Sequence, residues 1–496
     1  MKRKALRIAL FCGFCLSVVC HAQQPVEEDA LTYRTELFGS AATGDYTPLW
    51  MSSHSYGVVP AEAGNGYLRA ALSAHQSFGK GFYWRAGLDA LVVAPRHRNL
   101  YIQQLYGEIG YKALLLSVGS KERYYSLFDR TLSSGDMISS TNSRPIPELN
   151  ISIPSFTVVP FTKGWLQLKG EFSVGYSLDQ DFLEDFRKTD QYYTDQVRWH
   201  RKSIHFQIKD SRNGKPLYFA AGVRHIAQWG GESSDPELGV QPHSLKDFVR
   251  IFFGKSGGED ASLSDQINVL GNHHISYDIK LGYQRERWAV QAYYQHLSSD
   301  KSGLLLFNGA DGLWGIQTDL TRFPWLSKVV FEFCNTRNQS GSFHYIDFDH
   351  DQHPGRGGGA DNYYNNQEYT TGLTYFNRAI GSPLLPAPHY NKDGLLGFQN
   401  NRIRAWYVGI EGRVSTQLSY RLRLSFAEGW GTAYHPFLNK KESYSFAAEM
   451  VYQHPRLKDW DFRGSLGGDT GEMYGNKSLG MSLSVSKRGI LTSLKR

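Results

Sequence analysis

Between residues 166 and 177 the even positions are Leu166, Leu168, Gly170, Phe172, Val174 and Tyr176, and the odd ones Gln167, Lys169, Glu171, Ser173, Gly175 and Ser177. Successive side chains of a strand point to opposite faces, so this period of two predicts a strand with one apolar and one polar face. Residues 418–426 repeat it, with Leu418, Tyr420, Leu422, Leu424 and Phe426 against Ser419, Arg421, Arg423 and Ser425. So does the end of the chain, where Leu479, Met481, Leu483 and Val485 alternate with Gly480, Ser482, Ser484 and Ser486. Trp288, Val290, Ala292 and Tyr294 against Gln291, Tyr293 and Gln295 form a softer case. A two-sheet sandwich also alternates. Arginine and lysine in mid-strand, on segments near the ~9–11 residues of a tilted spanning strand, favour lipid on one side and water on the other.

The connections between these strands alternate in length. Short turns fall at 79–81, 110–112, 161–164, 211–214, 285–287, 322–327, 415–417 and 454–459. Longer connections lie between them at 94–99, 121–150, 179–197, 230–272, 299–310, 340–401 and 431–441, with 41–65 before the first short turn and 470–477 before the last strand. Outer-membrane barrels have short periplasmic turns, longer external loops and an even strand count, and the segments here give about 18 strands. Residues 367–377 also alternate, and are assigned to an external hairpin inside the 340–401 loop rather than to the barrel. The expected fold is thus all-β: a transmembrane antiparallel β-barrel of about 18 strands with long external loops.

One long connection carries a helical signal. Ser244-Leu245-Lys246-Asp247 is a capping box, Leu245, Phe248, Val249 and Phe252 follow at helical spacing, and Gly254 suits the C-terminal cap. Ser262-Leu263-Ser264-Asp265 starts a second short helix ending at Gly271, so 244–271 is read as a small helical hairpin.

Composition changes the picture in two ways. Lys2, Arg3, Lys4 and Arg7 precede an apolar run from Ile8 to Val19 and a cleavage site before Gln23, so 1–22 reads as a signal peptide and 23–496 as one barrel domain. Val19 before Cys20 does not suit a lipoprotein. Losing the leader lowers the formal charge from +7 to +3, which gives no argument for nucleic acid, and leaves Cys334 as the mature chain's single cysteine, without an internal disulfide. Aromatics are 14% of the residues, and no later apolar run nears the ~20 residues of a spanning helix.

The stretch 121–165 is distinctive. It holds Pro145, Pro147, Pro154 and Pro160, which lack the N–H that a central ladder needs, among Lys121, Glu122, Arg123, Asp129, Arg130, Arg144 and Glu148. Charged and Pro-interrupted, it is unsuited to lipid and is read as a plug folded into or against the barrel mouth.

Other motifs weigh less. Gly254-Lys255-Ser256-Gly257-Gly258 matches G-x-S-x-G but follows a predicted helix, where a hydrolase elbow follows a strand. Asp347-Phe348-Asp349-His350-Asp351 resembles a calcium loop, but Gln352 and Gly358 stand where an EF-hand needs glycine and glutamate. His344, His350 and His353 lack a rigid ligand spacing and read as solvated loop histidines. No metal, cofactor or catalytic residue is expected. Residues 345–366 mix aromatics with acids and amides, types that suit sugar rings, and Tyr363 and Tyr364 are the candidates for stacking. Trp229 and Trp430, at strand ends, read as girdle aromatics.

Asn142-Ser143-Arg144-Pro145-Ile146-Pro147-Glu148, preceded by Leu132-Ser133-Ser134-Gly135, resembles the hallmark of the Wzi-type capsule assembly proteins, in forms from Bacteroidetes. Gly64-Asn65-Gly66-Tyr67, Tyr101-Ile102-Gln103-Gln104, Gly119-Ser120-Lys121-Glu122-Arg123, Gln241-Pro242-His243-Ser244 and Gly381-Ser382-Pro383-Leu384-Leu385-Pro386 are similar to segments of the same forms. The resemblance implies an 18-stranded outer-membrane barrel with a helical element that acts as a lectin and not as an enzyme. It would bind exported capsular or other surface polysaccharide and help attach the capsule. The implied surroundings are outer-membrane lipid, with the capsule export machinery as a candidate partner. The candidate glycan-binding residues are Lys121, Arg123, Arg144, Glu148, Tyr363 and Tyr364. The rival reading is a porin for a polar solute, whose lumen the same charges would line.

Overall fold

Eighteen antiparallel strands close on themselves in chain order. They are β1 (Ala30–Ala42), β2 (Asn65–Gly79), β3 (Phe82–Ala94), β4 (Leu100–Tyr111), β5 (Leu114–Ser120), β6 (Glu148–Val158), β7 (Leu166–Tyr176), β8 (Arg198–Lys209) and β9 (Leu217–Trp229). The second half is β10 (Asn272–Gln284), β11 (Ala289–Ser298), β12 (Gly312–Asp319), β13 (Lys328–Asn335), β14 (Ile403–Arg413), β15 (Leu418–Gly431), β16 (Pro436–Gln453), β17 (Trp460–Gly471) and β18 (Ser478–Ser493). The ring closes where β1 pairs with β18, from Ala30 opposite Ser493 to Ala42 opposite Gly480. The structure, a computed structural model, describes residues 28–494 apart from 96–99, 188–189, 211–213, 300, 343–344 and 347–357. The expected leader, the Asp347–Asp351 acids, His344, His350 and His353 lie outside the described residues.

The alternation read from the sequence is the inside and outside of this wall. On β7 Lys169 and Ser173 are buried, and on β18 Ser482 and Ser484 are buried while Leu479, Met481 and Leu483 are exposed. The exposed apolar face is the lipid surface. Phe78, Phe82, Trp165, Trp288 and Trp325 are exposed at the short-turn end, as an interfacial girdle requires. Trp229 and Trp430 do not join a girdle. Both are buried, Trp229 against Phe248 at 5.5 Å and Trp430 beneath the Arg337 guanidinium at 4.0 Å.

Short turns and both described termini share one end, which places that end in the periplasm by the rule for such barrels. The connection expected to be long at 431–441 is short, because β16 already begins at Pro436 and runs 18 residues. At the other end, among the described residues, sit five α-helices, α1 (Leu49–Ser52), α2 (Gln180–Phe186), α3 (Leu245–Phe253), α4 (Leu263–Ile267) and α5 (Lys301–Leu304). α3 starts on the capping box of Ser244 and Asp247 and stops at Gly254, which has φ 58°.

The 340–401 connection departs most from expectation. Instead of standing outside, its 363–387 portion turns inward. Tyr363, Tyr364, Leu373, Ile380 and Leu385 are fully or nearly fully buried, in one cluster with Leu132, Met137 and Ile138 of the 121–147 segment and with inward-facing Tyr293, Val330 and Tyr407 of the wall. The core of this protein therefore lies inside the ring and is built largely from its loops. Residues 367–377 supply no barrel strand; only Thr374–Tyr375 pairs, with Arg378–Ala379, in a buried two-residue hairpin.

The topology is open to direct labelling. Cysteines replacing Glu259 and Asp393, both exposed at the long-loop end, should react with an impermeant maleimide on intact cells. Those replacing Lys80 and Thr416 should react only after permeabilisation. Buried Cys334 should stay silent. The reverse pattern would invert the barrel.

Candidate functional site at the barrel mouth

The segment 121–147 has few ladder partners of its own, so its backbone polar groups must be met by side chains. The wall supplies them from most of its circumference. Glu332 of β13 accepts from Ser133 Oγ at 2.7 Å and Ser134 N at 2.6 Å. Gln295 of β11 accepts from Met137 N at 2.7 Å. Tyr407 of β14 donates to Leu132 O at 2.7 Å, Arg423 of β15 to Thr131 O at 2.9 Å, and Lys169 of β7 to Ser126 O at 2.9 Å. Lys328 of β13 meets Asp129 at 2.6 Å. Asp136, fully buried, pairs with Arg224 of β9 and accepts from Gln295 Nε2 at 3.1 Å. Only a segment inside the lumen can touch strands on so many sides. It lines both a cavity of about 300 Å³, which Trp50, Tyr56, Arg130, Arg421, Arg423 and Glu449 also border, and, with Arg144 and Pro145, a larger cleft at the mouth.

That mouth cleft, about 600 Å³, is the candidate site. The Arg144 guanidinium stands 4.0 Å from the Tyr101 ring and 4.3 Å from the Phe376 ring, and donates to Ile102 O at 2.9 Å. Pro145 restricts Arg144 to extended geometry. Gly57, at φ 65°, leaves room for it, since a Cβ there would lie 3.0 Å from Arg144 Cγ. Phe182 and Phe186, four apart on α2, present both rings to the cleft, and Phe182 lies 5.4 Å from Phe376. Phe376 is the tip of the buried hairpin, in the left-handed region at φ 53° with Asn377 at 54°. A bulky residue there costs roughly 1–2 kcal/mol, a strain that the hairpin holds in order to aim this ring. Asp179 fixes the tip by accepting from Phe376 N at 3.0 Å. Arg378, Glu62 and Asp181 complete a rim of both charges.

The profile of the family described as Capsule assembly protein Wzi matches residues 47–387. The chain belongs to the Wzi capsule assembly family. Its role is thus in capsule assembly, from an outer-membrane barrel. The matched span contains the 121–147 and 363–387 stretches and most of the residues that line the mouth cleft, with Tyr46 and His389 just outside it. No curated protein matches the sequence. Among solved structures, the Wzi of Escherichia coli is 13% identical, with 95% of this chain and 86% of that one covered and a TM-score of 0.58. It is described as an outer membrane protein involved in group 1 capsule assembly and a carbohydrate-binding β-barrel, and the likeness to it is one of fold. OccK3 (OpdO) of Pseudomonas aeruginosa aligns at 11% identity over 93% of this chain and 96% of its own, with a TM-score of 0.45.

Within this Wzi family barrel the six residues singled out from the sequence separate into groups. Lys121 meets Glu108 at 2.7 Å, and Arg123 meets Glu148 at 3.1 Å while Glu148 also accepts from Ser173 at 2.9 Å. These three hold the start of the plug to the wall. Tyr363 and Tyr364 are fully buried, their hydroxyls engaged by Asn308 at 2.6 Å and by Met137 O, so their rings are core and offer no stacking face to the mouth. Arg144 alone lines the cleft. Tyr101, Phe182, Phe186, Phe376 and Arg378 were not legible as site residues because three separate stretches deliver them. The one local hint is Tyr375-Phe376-Asn377-Arg378, a turn with asparagine but no glycine at its centre. Gly254 to Gly258 follows helix α3, so the serine-hydrolase elbow is not formed.

Arg224→Met leaves Asp136 buried without its cation, a loss of about 3–5 kcal/mol, and should produce conductance openings in planar bilayers that the unaltered protein lacks. Adding Asp136→Leu should quieten them, and silence in the single variant would mean that the other wall contacts suffice. Burial pushes the Asp179 carboxyl up from 3.8 to about 6. The folded state then holds the proton more tightly than the unfolded one, so this contribution is complete below the unfolded value and is lost as pH rises through about 6. Thermal stability of Asp179→Asn should accordingly vary less between pH 4 and 7, roughly the span between those two values and just beyond.

Proposed function

We propose that this protein is a non-enzymatic outer-membrane lectin that binds exported capsular polysaccharide in the mouth cleft and helps hold it at the cell surface. The observation that carries this reading is the cleft's composition and stiffness. Sugar rings need flat apolar faces against their C–H surfaces and planar polar groups at their hydroxyls. The cleft offers Tyr101, Phe182 and Phe376 around a guanidinium that is already ordered by two rings and a carbonyl. A pre-set arginine loses little entropy on binding and can take a glycan carboxylate with two parallel bonds. The cleft opens at the long-loop end, where an exported polymer would be met. The carbohydrate binding described for the E. coli Wzi agrees with this reading. A channel for polar solutes would need an open lumen, and the apolar cluster around Leu132, Met137 and Tyr364 speaks against one.

Titration of purified capsular polysaccharide against Arg144→Ala should show affinity weakened by about 1–3 kcal/mol, the scale of a hydrogen bond to a charge, with heat-modifiable migration of the barrel unchanged. Phe376→Gly should weaken binding as well while relieving the backbone. Undiminished affinity in both variants would move the glycan away from this cleft.

A further inference from the structure

The outer wall of β7–β10 breaks the lipid-facing pattern near the mouth. Going up the outward positions of β8, Ile208, Phe206 and Ile204 are exposed and apolar, and then come Lys202 and His200. In register, Lys202 stands between Phe172 and His225, and His200 between Val174 and Ala227, beyond which lies His273. One step below, Ile204 stands opposite Val223, and both are lipid-facing. A lysine and three histidines thus point outward about 5 Å of height above bare hydrocarbon-facing residues, two residues along a tilted strand.

The helical hairpin covers them. Phe248 lies 5.5 Å from Trp229 and 5.4 Å from His200, and Phe252 lies 5.4 Å from His200 and 6.2 Å from Phe172. Lys202 donates to Phe252 O, its ammonium 3.8 Å from the Phe252 ring. His273 Nε2 donates to Leu270 O at 2.7 Å, which leaves its Nδ1 to accept from His225 Nε2, also at 2.7 Å. Ile251 is fully buried beneath. α3 is therefore seated on the outside of the barrel and not in its lumen, and Ser262, which caps α4, donates to Glu368 of the inward-turned loop at 2.8 Å.

The stripe of α3 beside this wall-facing one is apolar too. Leu245, Val249 and Phe253 recur every fourth residue along α3 and are 80%, 48% and 66% exposed, and Leu263 and Ile267 of α4 are 72% and 71% exposed. Lys246 and Lys255, both exposed, stand near the two ends of α3. We infer that this hairpin is a lipid-docking element that lies in the outer leaflet against the barrel wall and receives acyl chains on Leu245, Val249, Phe253, Leu263 and Ile267. Lipid is the occupant because the stripe continues the band formed by Ile204, Phe206 and Val223, one row below. An amphipathic helix with lysines at its ends suits the acyl–headgroup boundary, where long basic side chains reach phosphates.

Single cysteines at Val249, Ile267, Val223 and Glu259 can be labelled with bimane in the full-length protein, Cys334 being buried. The labelled proteins are reconstituted into phosphatidylethanolamine–phosphatidylglycerol vesicles containing brominated lipid. Labels at 249 and 267 should lose emission to the same extent as the lipid-facing label at 223, and the label at 259 should keep it. Emission at 249 and 267 retained as at 259 would place the stripe in water and overturn the inference. Protection from brominated lipid together with a Val249→Cys disulfide between copies that survives dilution would assign the face to a second molecule, and overturn it equally. Heat-modifiable migration of each variant confirms the closed barrel.

Discussion

Every part of this structure answers one constraint: a backbone N–H or C=O that faces hydrocarbon or a dry interior must have a partner. For the wall the answer is closure, completed by the thirteen-residue ladder of β1 against β18, which leaves no open edge. For the loops that enter the ring the answer has to come from side chains, because prolines and tight turns deny them a ladder. Hence inward positions of the wall carry Glu332, Gln295, Arg423, Lys169 and Tyr407, each bonded to the entering segment. The polar face that marks a barrel strand is here not a wet pore lining but a set of docking groups. The Asp136–Arg224 pair is the most committed of them, since each charge is buried and is compensated by the other.

Once the lumen is filled, its outer surface becomes a stiff platform. The same entering segment carries Arg144 at its exit, and the inward-turned 363–387 portion carries Phe376 on a strained turn. Asp179 ties that turn to the start of α2, which brings Phe182 and Phe186. The anchors and the proposed recognition surface are therefore successive stretches of one chain path. On the proposed reading, a family whose role is capsule assembly gains from this arrangement a glycan surface fixed to the outer membrane without a separate domain.

Outside the ring the constraint works in the opposite direction. His200, Lys202, His225 and His273 occupy positions where lipid-facing residues belong, and the hairpin formed by α3 and α4 covers them. Polar wall and amphipathic cover are complementary, and neither is stable at this height alone: the wall would present a lysine to acyl chains, and the helix would present Phe248 and Phe252 to water.

The sequence by itself determined the wall. Period-two alternation in residues 166–177, 418–426 and 479–485, with the rhythm of short and long connections, suffices for an 18-stranded barrel because inside and outside are decided residue by residue along one strand. It also determined α3, through a capping box that acts within four residues. What only the tertiary structure decided is where the loops go. Nothing local tells Tyr363 and Tyr364, in a wet-looking tract, that their hydroxyls will be met by Asn308 and Met137. Nothing local tells Lys121 and Glu148 that their partners are Glu108 and Arg123 rather than a ligand. The cleft joins Tyr101, Arg144, Phe182 and Phe376, which are distant in sequence and meet only once the ring has closed and its mouth has been filled. Alternation is a property of neighbours along the chain, whereas a site in the mouth of a barrel is a property of its circumference.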